Sequence, residues 1–127
     1  MRKSIKFSYL YRDAGNYKSW GALVLKNPDG LTLLEIETRL KKSFEQEIFF
    51  IADQINVEEV FLFACNDLTG DDHCFHEFDS VELIEEKASD LLNRSITGFM
   101  EEVETESRKG WCAFNPMDRT YGKSAVN

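Results

Sequence analysis

Nine consecutive residues, Asp71-Asp72-His73-Cys74-Phe75-His76-Glu77-Phe78-Asp79, hold both histidines of the chain, one of its three cysteines and four carboxylates. A histidine beside a carboxylate can have its tautomer fixed and its proton affinity tuned, which is the basis of general acid–base chemistry. Asp72, His73, His76 and Glu77 are therefore the candidate catalytic groups. A metal site needs three or four ligands converging on the ion at about 2 Å. His73 and His76 are three apart, and on a strand an odd step sends side chains to opposite faces. A strand over 73–78 groups His73, Phe75, Glu77 and Asp79 on one face and Cys74, His76 and Phe78 on the other. His73, Glu77 and Asp79 are then the weak metal candidates. The spacing matches no established motif, so no metal or cofactor is expected. No G-x-S-x-G elbow, P-loop or G-x-G-x-x-G turn occurs elsewhere.

A second group lies near the N-terminus, where aromatics interleave with basic and amide side chains. Tyr11, Arg12, Asp13, Asn16, Tyr17 and Lys18 are the candidate binding residues, with Tyr9 and Trp20 beside them. Tyr and Arg are frequent binding anchors, and aromatic faces with cations also capture bases and phosphates. The competing reading makes alternate aromatics core and gives Arg12, Asp13 and Asn16 to the turn. A third feature, the acidic run 101–106, reads either as a solvated helix face or as a patch that occupies a basic cleft on a partner.

The elements that must position these groups follow from periodicity. Ile5, Phe7, Tyr9 and Tyr11 alternate with polar residues, a strand with one buried face. Asp13-Ala14-Gly15-Asn16 is turn chemistry, and a second strand over 17–26 completes a hairpin. Its run 20–25 is apolar on both faces, which predicts a central strand. Thr32 and Glu35 form a capping box with Leu31 and Ile36 as a staple, so a helix is expected over 32–46, with Glu35–Arg39 and Glu37–Lys41 as i,i+4 pairs. Residues 48–52 and 60–65 read as strands. From Val81 the spacing of Val81, Ile84, Ala88, Leu91, Leu92, Ile96, Phe99 and Val103 predicts a long helix, or two if Gly98 divides it. Trp111 to Phe114 is expected to pack back on the domain. The fold class is α+β: a two-layer sandwich with a mostly antiparallel four- to five-stranded sheet and two main helices. Leu25, Leu33, Ile36, Leu40, Phe61 and Phe63 are expected in the core. Residues 1–114 form one domain and 115–127 a C-terminal tail.

The 127 residues carry 43% hydrophobic side chains, ten of them Phe, enough for a core without disulfides. Net charge is −8, distributed as +5 over 1–42, −16 over 43–106 and +3 over 107–127. Such asymmetry marks either a partner surface or an internal match between the basic first third and the acidic middle. Overall acidity argues against broad nucleic-acid binding. Three cysteines without a C-x-x-C pair fit a reduced, cytoplasmic setting, and no apolar run is long enough for a signal peptide or membrane span.

The segments Tyr11-Arg12-Asp13-Ala14-Gly15-Asn16-Tyr17-Lys18 and Asp71-Asp72-His73-x-x-His76-Glu77-Phe78 resemble those of small uncharacterised bacterial proteins. The likeness covers residues 3–82. It implies a bacterial, cytosolic origin and no particular activity. From the residues themselves, the leading expectation is an acidic interaction protein with a protein partner, of the antitoxin, immunity or defence kind. The alternatives are a small hydrolase or nucleotide-processing enzyme using the Asp/His/Glu cluster, and a single-stranded nucleic-acid or nucleotide binder using the N-terminal hairpin. The enzyme requires the hairpin turn and the acid–histidine segment to meet in space.

Overall fold

The computed structural model describes residues 3–62 and 73–116. Phe63, Cys65, the loop 66–72 and the tail from 117 lie outside the described residues. β1 (Ser4–Arg12) and β2 (Lys18–Lys26) form a hairpin, followed by α1 (Leu33–Ser43), β3 (Phe49–Phe50), a 3-10 turn (Ala52–Ile55), β4 (His76–Ile84) and α2 (Ile96–Lys109). The sheet has the order β2-β1-β4-β3, and every pairing is antiparallel. The α+β class and the antiparallel sheet agree with the sequence reading.

Alternation in β1 does what its pattern demands. Ile5, Phe7 and Tyr9 face a core shared with Leu23 and Leu25 of β2, Ile36 and Leu40 of α1, and Ile96, Phe99, Met100 and Val103 of α2. The Phe7 ring lies 5.1 Å from Phe99 and 5.7 Å from Phe78, centroid to centroid. α1 begins with the expected reciprocal cap: Glu35 N–H donates to Thr32 Oγ1 (3.1 Å) and Thr32 N–H to Glu35 Oε1 (2.8 Å). Leu33 packs against the core, and Phe61 sits in a smaller cluster with Tyr11, against which Phe114 packs. Trp111 also folds back, its Nε1–H donating to Ser43 O at 3.0 Å.

Several expectations are corrected. β2 is an edge strand, and β1 takes the centre. In the apolar run 20–25, Leu23 and Leu25 enter the core, and the Val24 backbone is bonded by Ser89 along the outer edge. The strand expected over 48–52 shrinks to two residues, and 60–62 lie outside the sheet. No helix starts at Val81. The β1–β4 register runs Phe7↔Val81, Ser8↔Ser80, then Tyr9↔Phe78, leaving Asp79 as an extra residue in a bulge. The bulge lets Phe78 and Val81, three apart, both turn to the core, and that spacing imitates a helix. Leu91 and Leu92, assigned to the same helical face, are 99% and 56% exposed.

Residues 85–95 instead form an irregular strap. Ser89 N–H donates to Val24 O (2.8 Å), and Val24 N–H donates to Ser89 Oγ (2.9 Å). Arg94 fixes the strap: it donates to both oxygens of Asp90 (2.9 Å each), to Glu102 Oε1 (2.8 Å) and to the carbonyls of Ile55 and Asn56. Its guanidinium also lies 5.1 Å from the Phe99 ring centroid. Hydrogen bonds from Arg94 hold the Asp90 carboxyl below its ordinary range.

Two substitutions test this packing. A Cβ on Gly21 would stand 2.6 Å from Tyr9 Cζ, inside contact distance with a buried ring. Gly21→Ala should therefore lower unfolding stability by about 1–3 kcal/mol in urea titrations; an unchanged midpoint would show that the ring moves aside freely. Arg94→Met should cost about 3–5 kcal/mol, because it leaves the Asp90 carboxylate nearly buried without its partner. A loss no larger than that of an exposed ion pair, about 0.5 kcal/mol, would contradict this assignment.

Candidate functional site

The hairpin turn and the acid–histidine segment do meet, at the end of the sheet where β1 outruns β4. The β1–β4 ladder stops at Leu10↔Glu77, so the edge of Tyr11 and Arg12 that faces β4 lacks a strand. His73 fills the gap. Its Nε2–H donates to Arg12 O at 2.7 Å, and its backbone N–H donates to Tyr11 Oη at 3.1 Å. Phe75 N–H donates to His73 Nδ1 at 3.1 Å. This network assigns the Nε2–H tautomer, and both ring nitrogens are engaged.

His73 and His76 were expected on opposite faces. The structure places both rings against Tyr11, with centroids 5.0 and 5.8 Å from it. The reason is local: β4 begins only at His76, and the chain bends at Cys74, so alternation does not extend back to His73. Cys74, His76 and Phe78 are buried, as their shared face predicts.

His76 is wholly buried. Its Nε2 accepts from Val60 N–H at 3.0 Å, which leaves the proton on Nδ1. Among the described residues Nδ1 has no hydrogen-bond partner. Burial pushes the imidazole pKa down to about 4; the neighbouring His73 pushes the same way, and the Cys74 backbone opposes without meeting hydrogen-bond geometry. His76 is neutral at physiological pH and sealed from solvent.

Arg12 reaches back across the sheet. Its Nε donates to Glu77 Oε2 (3.0 Å), its Nη2 to Glu77 Oε1 (3.3 Å) and its Nη1 to Asn16 Oδ1. Asp13 shapes the turn: its Oδ1 accepts from Tyr17 N–H (2.9 Å), its carbonyl accepts from Asn16 N–H (3.0 Å), and Asn16 is left-handed at φ 70°. Of the binding candidates, Tyr11 is fully buried, whereas Tyr17 is 72% exposed and Lys18 is also exposed. Asp79 is exposed in the bulge, and Asp72 lies outside the described residues. Among the described residues no three His, Cys, Asp or Glu side chains converge to hold a metal, so His73, Glu77 and Asp79 form no such group.

Beside His73 opens a cleft of about 420 Å³ lined by Glu45, Gln46, Phe49, His73 and Phe75. Its rim is a tight turn in which Ile48 N–H donates to Glu45 O at 3.0 Å, with Gln46 and Glu47 both left-handed. Asn-Gly usually supplies that geometry, and nothing in the pattern of Gln-Glu foretold it. Among the described residues the lining offers one imidazole already bonded on both nitrogens, two aromatic rings, a carboxylate and an amide, and no hydroxyl or thiol nucleophile.

Part of the charge map resolves within the fold. Lys3–Glu85, Arg12–Glu77 and Arg39–Glu104 join the basic first third to the acidic middle. Glu35 is absorbed by the helix cap, so Arg39 pairs across to α2 rather than with Glu35. In the acidic run, Glu102, Glu104 and Glu106 are paired to Arg94, Arg39 and Lys109. Sequence reading missed the Arg94 hub, although Asp90 and Arg94 at i,i+4 were a visible signal. Comparison with protein-family models, curated proteins and solved structures finds no match to this chain.

The buried His76 gives a pH test. Its folded pKa lies below the unfolded value, so between the two the unfolded chain binds the extra proton. Its stabilising contribution is complete above pH 6.5 and is lost as pH falls towards about 4, by about 3 kcal/mol in all. His76→Phe should lose less stability than the wild type across that window in urea titrations. Equal losses would show that other groups carry the dependence.

Proposed function

We propose that this chain is a small acidic interaction protein whose contact surface is the β1–β2 hairpin. The observation that carries the reading is the exposure of two large aromatics, Tyr17 (72%) and Trp20 (58%), on a hairpin of unbroken nine-residue register. Aromatic anchors on a rigid element are what protein contacts favour. We read the architecture as a two-layer sandwich with the helices against the Ile5–Phe7–Tyr9 face. The opposite face then presents Lys6, Ser8, Arg12, Lys18 and Trp20 around a buried Leu10. Because three of the four carboxylates of the 101–106 run are paired within the fold, the partner contact is better described as aromatic-centred than as a mimic of a polyanion. A partner of the antitoxin, immunity or defence kind remains compatible with this surface.

The enzyme reading draws less support. Tyr11, Arg12, His73 and Glu77 come together, but His73 is bonded on both nitrogens, His76 is sealed, and Arg12 is held by Glu77 and Asn16. The nucleic-acid reading retains Tyr17, Trp20 and Lys18 and would need Arg12 released. No helix among the described residues is long and apolar enough to cross a membrane, and three cysteines without a C-x-x-C pair suit a cytoplasmic setting.

Affinity capture with the wild type and a Tyr17→Ala/Trp20→Ala variant tests the proposal. A defined partner should be held by the wild type and lost, by roughly tenfold or more, from an equally folded variant. Equal retention by both would move the contact surface elsewhere. If the wild type instead binds a single-stranded oligonucleotide at low salt, and Lys18→Ala and Tyr17→Ala weaken that binding, the nucleic-acid reading replaces this one. Stacking on Tyr17 would then account for about 1–3 kcal/mol.

A further inference from the structure

The hairpin turn fixes the phase of the β1–β2 ladder. Asp13 N–H donates to Tyr17 O, so the hydrogen-bonded pairs are the odd ones: Tyr11↔Ser19, Tyr9↔Gly21, Phe7↔Leu23 and Ile5↔Leu25. The even residues of β2 therefore point their N–H and C=O groups away from β1. At Val24 this is seen directly, because both of its groups bond Ser89. At Lys26 the chain meets Ser95 in a parallel bridge. Between the turn and this plug, Lys18, Trp20 and Ala22 present an outward backbone edge with no partner among the described residues. The edge carries none of the usual protection on its five residues beyond one lysine: no proline, no bulge and, among the described residues, no hydrogen-bonded covering segment.

What flanks the edge is apolar. On one side stands Trp20. On the other are Tyr17 and, across a small groove, the strap residues Leu91 (99% exposed) and Leu92 (56%). That groove, about 110 Å³, adjoins Ala22 and is rimmed by Glu58 and Asp90. Asp90 is spent on Arg94, which leaves Glu58 as the anionic end. The lysine of the edge, Lys18, is at the opposite end.

We propose that the β2 edge from Lys18 to Ala22 pairs antiparallel with the same edge of a second copy of this chain, about a two-fold axis at Trp20. This rests on the hairpin being a contact surface and names the partner for its edge. In that register Trp20 faces Trp20 of the other copy, and Lys18 faces Ala22. No like charges are opposed, and each cationic end lies beside the other copy's anionic rim at Glu58. Each Tyr17 comes to the far end of the partner's edge, where Leu91 and Leu92 are exposed. The open edge is as long as the interval between the turn and the Ser89 plug, so the plug fixes the register and blocks slippage. The two sheets join into one. Four exposed apolar side chains per copy, with the paired edge, correspond to an interface near the lower end of specific ones, about 1,200 Å², so the dimer should depend on concentration.

Sedimentation of the purified full chain over a concentration series, with no other protein present, tests this. The wild type should pass from monomer to dimer. Ala22→Pro removes an outward N–H that only the second copy would use, and Leu91→Asp changes a residue that touches almost nothing within the monomer. Each should weaken dimerisation by about tenfold or more with unchanged circular dichroism. Should Ala22→Pro unfold, Leu91→Asp alone decides. A wild type that stays monomeric into the millimolar range, or a dimer indifferent to Leu91→Asp, overturns the proposal. A monomer would leave the edge to an extended segment of a different protein. Since this measurement contains only the one chain, that result would leave the capture experiment with Tyr17 and Trp20 undecided by it, and the two readings fail separately.

Discussion

Both edges and one whole face of β1 must be satisfied at once, and the rest of the structure follows from that constraint. β2 and β4 take its two edges. Its odd side chains, from Ile5 to Tyr11, are at most 2% exposed. Burying that stripe requires apolar partners from both helices, which is why α1 and α2 converge on Phe7 and its neighbours. The strand is also longer than the β4 ladder beside it. At Arg12, beyond the end of that ladder, the backbone carbonyl takes its donor from elsewhere, since buried polar groups left unpaired are costly. His73 supplies one with its ring, so the histidine most suggestive of chemistry closes a sheet instead.

The same economy runs through the charged residues. Arg12 could have been a free cation beside an acid–histidine cluster. It is instead a two-toothed partner of Glu77 that ties the end of β1 to β4. Arg94 holds a strap that has little regular structure of its own, joining Asp90, Glu102 and two carbonyls of the 3-10 turn. His76 is different in kind, because its burial opposes protonation and no carboxylate among the described residues compensates. These side chains make a polar frame around an aromatic core, and the frame consumes most of what the sequence offers as reactive groups.

What is left at the surface is therefore more informative than what is clustered. Once His73, Glu77 and most of the acidic run are internally matched, what stands out among the described residues is exposed aromatics and leucines beside an open strand edge. Such edges are normally blunted. A regular edge bounded at one end by a turn and at the other by a hydrogen-bonded plug has a defined length and a defined register, and those properties suit pairing.

Local patterns were legible in the sequence wherever chain neighbours alone decide the outcome. The capping box at Thr32 and Glu35, the alternation of β1, the Asp13–Asn16 turn and the face shared by Cys74, His76 and Phe78 all depend on residues a few positions apart, and all are present. The phrases that misled were those in which a tertiary event changes the period. The bulge at Asp79 converts an alternating strand into a spacing of three, and so made β4 and the strap look helical. Strand order was invisible because an apolar stretch such as 20–25 can be central or can be an edge covered by another segment. The gathering of Tyr11, Arg12, His73 and Glu77 was foreseen only as a condition, because it brings residues more than sixty positions apart into hydrogen-bond contact. Sequence fixes which groups are available to bond; only the folded chain decides whether their donors and acceptors are left free for a ligand or used within the fold, and here backbone groups take the His73 ring while Arg12 and Glu77 take each other.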